Sequence, residues 1–405
     1  MNVLINRTRS LPVADRWCVH SYYTLCPYAP DDSGRLLLAG VDLETNQGEV
    51  IMMSAQGEVL DTFGEHTVNT GFFHTGFWQT WSPDASYVYY QSGTLAEPQI
   101  TRRELATKSE ITVPGDMEGA PPFGEPIVSG LMGMLYAAGY GDGKYTPETA
   151  PMPFQQREDH GLFGFSFSPP SQRLLLSVAE VLDRHPDRDR LLREDRLIKS
   201  RLGTKDGLTL MTYCVRWSPS GDRLLFYFGN HCVVQEREEP RLAYVFTATR
   251  DLQEIHLALD LSFGRRGVHW GWHPDGEHLI GYGPDPQAPG QICLAQVRYD
   301  GSDYRKISSH CSGGHPSISP ADYNLLVTDT GGQPGSVDFI DRRKDTIVKS
   351  YHLPRVYGER EPFGRNPYRV CHHPVFSGDG RKVLVNTLPH RHGVLQEIEV
   401  GEALR

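Results

Sequence analysis

Histidines recur at one position of a repeated phrase in this chain, and that recurrence is its clearest chemical signal. The phrase is a few aromatic or β-branched residues, then Ser/His-Pro-Asp-Gly or a relative, then a short apolar strand, a hairpin pattern. It appears as CPYAPDDSGRLLLAG (26–40), TWSPDASYVYYQSG (80–93), RWSPSGDRLLFYFG (216–229), GWHPDGEHLIGYG (271–283), SISPADYNLLVTDT (317–330) and VFSGDGRKVLVNT (375–387). Three residues before the aromatic or aliphatic residue that precedes each turn stand Trp78, Cys214, His269, His315 and His373. This is the start of the hairpin's first strand. If the hairpins form a ring, that strand is innermost and its start faces the axis. One histidine there is best read as a hydrogen-bond partner of a neighbouring unit. Three at the same offset in consecutive units read as a site, because neutral imidazoles gathered on one axis can hold a divalent transition metal or take up a proton. Cys371 precedes His373 by two residues, points to the same side of a strand and is a candidate further ligand, whereas His372 points the opposite way.

Arginine is the second ingredient. Arg241 opens the apolar strand RLAYVF and Arg216 lies in CVRWSP. Either suits bidentate binding of a carboxylate, and Arg241, at a strand opening, is preferred. Trp78 and Arg216 are candidate substrate contacts, together with His231 and Tyr213.

These residues require a scaffold that repeats. After most copies of the phrase comes a second hairpin, as in EVIMMSAQGEVLDTF, ITRRELATKSEITV, ICLAQVRYDGSDYRKI and VDFIDRRKDTIVKSY. Four strands per unit make a propeller blade, which buries both faces only between neighbours. Between 114 and 178 the pattern degrades, but IVSGLMGMLYAAGYG and LFGFSFSPPSQRLLLSV supply a third blade, giving seven in total. The stretch 179–205 loses the period-2 pattern and carries leucines at helical spacing, predicting a helical insertion between blades 3 and 4. The expected fold is an all-β, seven-bladed propeller occupying 1–405 as a single domain.

The bulk composition narrows the function classes. The 405 residues carry a formal charge of −10 with 41 Gly and 29 Pro, which fits a turn-rich chain with no basic field for nucleic acid or an anionic membrane. No run of about 18 apolar residues and no signal-peptide core are found, so a cytoplasmic location is expected. Seven cysteines at irregular spacing fit neither a disulfide framework nor a zinc knuckle. The nucleophile elbow G-x-S-x-G, the P-loop and the dinucleotide fingerprint are absent, as is the WD signature of WD40 scaffolds.

From about 213 to 400 the chain resembles the oligogalacturonate lyases, propeller enzymes of polysaccharide lyase family 22, and their TolB-like relatives. In that family a strand-opening arginine is followed by a histidine in a W-x-P-D-G-like hairpin, matched by Arg241 and by His269 in HWGWHPDG. A His in an H-x-S-x-S-P phrase is matched by His315 in HPSISP, and the final H-P-H-P blade by CHHPVFSGDG. The resemblance implies that His315, His373 and the residue at Cys371 hold a divalent metal, manganese in the family. It also implies that His269 is the base and Arg241 the partner of the uronate carboxylate. Two positions depart: Cys371 stands where the family has His, and Tyr368 where it has a glutamine ligand. Thiolate in that shell favours a softer metal such as zinc. The expected activity is metal-assisted β-elimination on short uronate-containing oligosaccharides. A noncatalytic TolB-like propeller binding a protein or sugar is the alternative, and the oligomeric state is open.

Overall fold

The computed structural model describes residues 8–13, 16–42, 44–45, 47–67, 75–93, 97–130, 157–202, 207–230, 238–262, 269–331, 334–355, 370–389 and 393–401. The first strand, β1 (Thr8–Leu11), is followed by blade 1, formed by β2 (Trp17–Val19), β3 (Leu36–Asp42), β4 (Gln47–Met53) and β5 (Val59–Thr67). Blade 2 contains β6 (Thr80–Trp81), β7 (Tyr87–Gly93), β8 (Pro98–Glu104) and β9 (Glu110–Pro114). Blade 3 has three described strands, β10 (Ile127–Gly130), β11 (Gly161–Phe167) and β12 (Pro170–Ser177). Blade 4 contains β13 (Met211–Trp217), β14 (Arg223–Gly229), β15 (Ala243–Thr249) and β16 (Ile255–Asp260). Blade 5 contains β17 (Gly271–Trp272), β18 (His278–Pro284), β19 (Ile292–Arg298) and β20 (Arg305–Ser308). Blade 6 contains β21 (Ser317–Ile318), β22 (Leu325–Asp329), β23 (Gly335–Asp341) and β24 (Thr346–Leu353). Blade 7 contains β25 (Val375–Phe376), β26 (Lys382–Thr387) and β27 (Val394–Glu399), and its fourth strand is β1. The chain is a seven-bladed β-propeller, as the hairpin phrases predict.

The Ser-Pro-Asp-Gly phrase makes each inner hairpin because its polar atoms satisfy the turn locally. In blade 7 the Ser377 hydroxyl donates to Asp379 at 2.7 Å and the Gly380 amide to the Ser377 carbonyl at 2.8 Å. Blade 4 repeats the amide bond from Gly221 to Ser218, and blade 5 from Gly276 to His273. The fourth turn residue is left-handed, with φ 75° at Gly221, 73° at Gly276 and 68° at Gly380, which glycine adopts at no steric cost. The same bond from Gly124 to Pro121 marks the turn of blade 3, where 117–120 takes the place of an innermost strand.

Each second strand is buried on both faces, as a propeller requires: Leu224, Leu225, Phe226, Tyr227 and Phe228 of β14 are all inaccessible to solvent. Tyr227, Trp270, Leu279 and Val297 pack together between blades 4 and 5. The expected helical insertion is present as α1 (Val178–Asp183) and α2 (Arg188–Leu202). Ser177 and Glu180 cap α1 reciprocally, and Leu191 and Ile198 of α2 join the core cluster of Phe226, Phe228 and Tyr244 in blade 4.

Ring closure rests on the four-residue pairing of β1 with β27, from Thr8 opposite Ile398 to Leu11 opposite Leu395, and Glu397 of β27 reinforces it, its buried carboxylate accepting from Arg9 of β1 at 3.1 Å, Tyr28 at 2.9 Å and Lys382 at 3.2 Å. Glu397→Ala leaves the Tyr28 hydroxyl without its acceptor and removes the side-chain tie to β1. Urea unfolding should show a loss of about 2–3 kcal/mol.

Candidate functional site

The innermost strands carry the site because their pairing is interrupted at the axis. In blade 4, Tyr213 pairs with Tyr227 and Arg216 with Leu225, so Cys214 and Val215 bulge opposite one residue. Cys214 therefore sits within β13 and does not open it. Blade 1 expands the same interruption. Val19 pairs with Ala39 and Tyr28 next with Leu36, so eight residues, 20–27, stand opposite only Leu37 and Leu38. The resulting loop delivers His20, Tyr22 and Tyr23 to the axis. Trp78 (φ 55°), Cys214 (φ 55°) and His373 (φ 45°) all hold left-handed backbone, a costly conformation for side chains of their size.

His269, His315 and His373 converge. The His269 and His315 rings are 4.1 Å apart between centroids, and those of His315 and His373 are 4.2 Å apart at 84°. His269 keeps part of its surface exposed, whereas His315 and His373 are buried. Asp329, at the end of β22, accepts from His315 Nδ1 at 2.9 Å, from the His315 amide at 2.7 Å and from the His373 amide at 3.3 Å. Burial would raise the Asp329 carboxyl, but the charge and hydrogen bond of His315 hold it well below the ordinary carboxylate range. His269 Nδ1 donates to the Gly314 carbonyl at 2.8 Å, leaving Nε2 as the basic nitrogen. Its dense surroundings, then His315 and Arg216, push its pKa well below the usual histidine value, so the ring is uncharged at neutral pH.

Arg216 is the cation within this group. Its guanidinium lies 5.3 Å from the Tyr22 ring and 5.6 Å from those of Tyr23 and Tyr227. Nη1 donates to the Trp270 carbonyl and, at 3.4 Å, to the Tyr23 hydroxyl. Arg241 stands apart, half-buried two residues before β15, and makes no ion pair among the described residues. Trp78 enters the group through Tyr22, at 5.4 Å between rings. Tyr213 is core instead, buried and stacked on Tyr227 at 5.4 Å. His372 turns away, donating to the Asn386 carbonyl with its ring against Gly335. His231 and Tyr368 lie outside the described residues.

Sequence reading missed the residues behind this cluster. Asp329 and Asn386 both lie in the hairpin phrases, in LLVTDT and KVLVNT, opposite the histidines they support. Tyr22 and Tyr23 lie just before the first phrase, in SYYTLCPY. Glu118 comes from the irregular inner segment of blade 3 and accepts from the Val215 amide at 2.7 Å. Its burial pushes its pKa up to about 7, against the opposing charge of Arg216.

The expected metal ligands His315, Cys371 and His373 do not form one group. His315 has the outer partner of a metal-ligating imidazole, with Nδ1–H on a carboxylate and Nε2 left as a donor, and His373 lies against it. The pair fits a divalent ion as two nitrogen ligands. Cys371 is not brought to them: its sulfur accepts from Arg355 Nη2 at 3.9 Å. Among the described residues no three His, Cys, Asp or Glu side chains are grouped as a full shell.

Comparison with solved structures places this architecture. An oligogalacturonate lyase in complex with manganese superposes with a TM-score of 0.62 at 15% identity, covering 98% of this chain and 94% of the other. The oligogalacturonate lyase of Vibrio parahaemolyticus gives 0.62 at 14%, with the same coverage. The fold is theirs. At such identity the likeness extends to the fold alone, and the β-propeller domain of Cps50 (Swd1) from Myceliophteria thermophila also superposes, at 0.52 and 10%, over 98% of this chain and all of the other. No family model and no curated protein matches the sequence. No helix among the described residues is long and apolar enough to cross a membrane.

Glu118 makes stability depend on pH. Its folded pKa of about 7 lies above the ordinary 4.5, so the folded state holds the extra proton between those values. The contribution is fully present below about pH 4.5 and is lost as pH rises through 7. Glu118→Gln should gain on wild type over that window, by about 3 kcal/mol at most above pH 7, in denaturant titrations at several pH values.

Proposed function

We propose that the chain is a carbon–oxygen lyase that cleaves short uronate-containing oligosaccharides by β-elimination in the cytoplasm. The observation that carries this reading is the axial array, in which a partly exposed, uncharged His269 lies beside the Arg216 guanidinium and the His315–His373 pair. Elimination breaks the C5–H bond and the C4–O4 bond and forms the C4=C5 double bond. It needs a base at C5 and a positive charge at the carboxylate that acidifies that proton. His269 Nε2 is the base. Arg216 supplies positive charge within the cluster; Arg241, outside it, is the second candidate partner for the carboxylate. Trp78 lines the sugar side, and His231 and Tyr213 are the remaining candidate substrate contacts.

A divalent ion, manganese or zinc, belongs to this reading. His315 and His373 would hold it, and when bound it would neutralise carboxylate charge. Cys371 is a ligand only if its side chain turns from Arg355.

Two measurements test the reading. On galacturonate oligomers, His269→Ala should lower the rate of unsaturated-uronate formation by about 10²–10⁴, with melting temperature and bound metal retained. A wild-type protein that forms no unsaturated product from any uronate oligomer, with manganese or zinc supplied, would turn the assignment to the noncatalytic alternative. Metal analysis of the purified protein should find an ion that the double variant His315→Ala/His373→Ala loses. Unchanged metal content in that variant would remove the pair as ligands.

A further inference from the structure

The loop of blade 1 adds to the axis a group that the elimination needs and the histidines do not supply. As C4–O4 breaks, its electron pair stays on O4, and a sugar alkoxide leaves slowly unless it is protonated. We propose that Tyr23 is the proton donor to this leaving group, an assignment that rests on the lyase reading above. His269 takes the proton from C5, the C–H pair becomes the C4=C5 bond, and the Tyr23 hydroxyl proton passes to O4. The step ends with His269 protonated and Tyr23 as phenolate, and transfer of the proton from one to the other restores both without any further reactant.

Position, hydrogen bonding and charge support the assignment. The Tyr23 and His269 rings lie 6.3 Å apart at 80°. C5 and O4 are both bonded to C4, so acid and base must flank one short stretch of the sugar, and this separation is on that scale. The Tyr23 hydroxyl accepts from Arg216 Nη1 at 3.4 Å, while its own proton is committed to no acceptor among the described residues. That guanidinium is placed to stabilise the phenolate left by the transfer. Tyr23 also packs over the start of β17, with its hydroxyl 3.9 Å from the position a Cβ would take at Gly271. None of this follows from ordinary blade geometry. Tyr23 reaches the axis because eight residues stand where pairing accounts for two.

The test is Tyr23→Phe, which removes the proton and keeps the ring, assayed by unsaturated-uronate formation on two substrates. On a galacturonate trimer, kcat should fall about 10²–10⁴ with KM little changed. On a uronide carrying nitrophenol at O4, which departs without protonation, the variant should keep close to the wild-type rate. Equal losses on both substrates would show that Tyr23 only shapes the site, and full activity on the trimer would show that it donates no proton; either result overturns the assignment while leaving the lyase reading standing. Wild-type inactivity on both substrates would overturn the lyase reading and this assignment with it.

Discussion

The axial cluster hangs on one buried carboxylate. Asp329 closes β22 and receives the ring and amide of His315 in its own blade and the amide of His373 in the next. An ionised carboxylate away from water is tolerated only while its donors are in place, so the charge obliges the two histidines to keep their positions. Blade 5 is tied in through Gly314, whose carbonyl accepts the hydrogen bond from His269 Nδ1. A Cβ at Gly314 would collide with the backbone oxygen of Asp329, so glycine is what allows the segment before His315 to lie so close to β22. One carboxylate and one glycine thus bring imidazoles from three blades together at the axis.

Around that anchor the electrostatics divide into two parts. His315 and Asp329 form a tightly bonded polar pair, while Arg216 is wrapped by the faces of Tyr22, Tyr23 and Tyr227. Burial works against its charge, yet a guanidinium stays protonated at any ordinary pH and its pKa here lies above the usual value. Aromatic faces hold a cation without neutralising it, which preserves its attraction for an incoming anion. Glu118, on the far side of the Cys214–Val215 bulge, gives this half of the site its own titrating group.

The hairpins were legible because their turns are satisfied by residues a few positions apart, and Ser377, Asp379 and Gly380 state that chemistry locally. The histidine alignment was legible because a repeated frame makes offsets comparable. What local pattern could not give was the bulge. It adds a residue to β13, so Arg216, three positions after Tyr213, shares its face of the strand when simple alternation would oppose them. This is why Arg216 enters the cluster, although a strand-opening position favoured Arg241. Tyr22 and Tyr23 were hidden for a related reason: the register jump between Val19 and Tyr28 exists only once β3 is paired. Asp329 and Asn386 stand inside the hairpin phrases, but nothing in those phrases marks them, since their partners lie across a strand boundary.

The blade 1 loop also bears on how such a site can diversify. Its residues lie between two ladder segments that are each in register with β3, so changing their number or identity leaves the pairing on both sides untouched. The most intrusive wall of the site is therefore held by no strand ladder of its own and is fixed instead by bonds from His20 to Asn386, Ser21 to Thr75 and Trp81 to Pro27. Substitutions within 21–25 would therefore reshape that wall without shifting the register of β3.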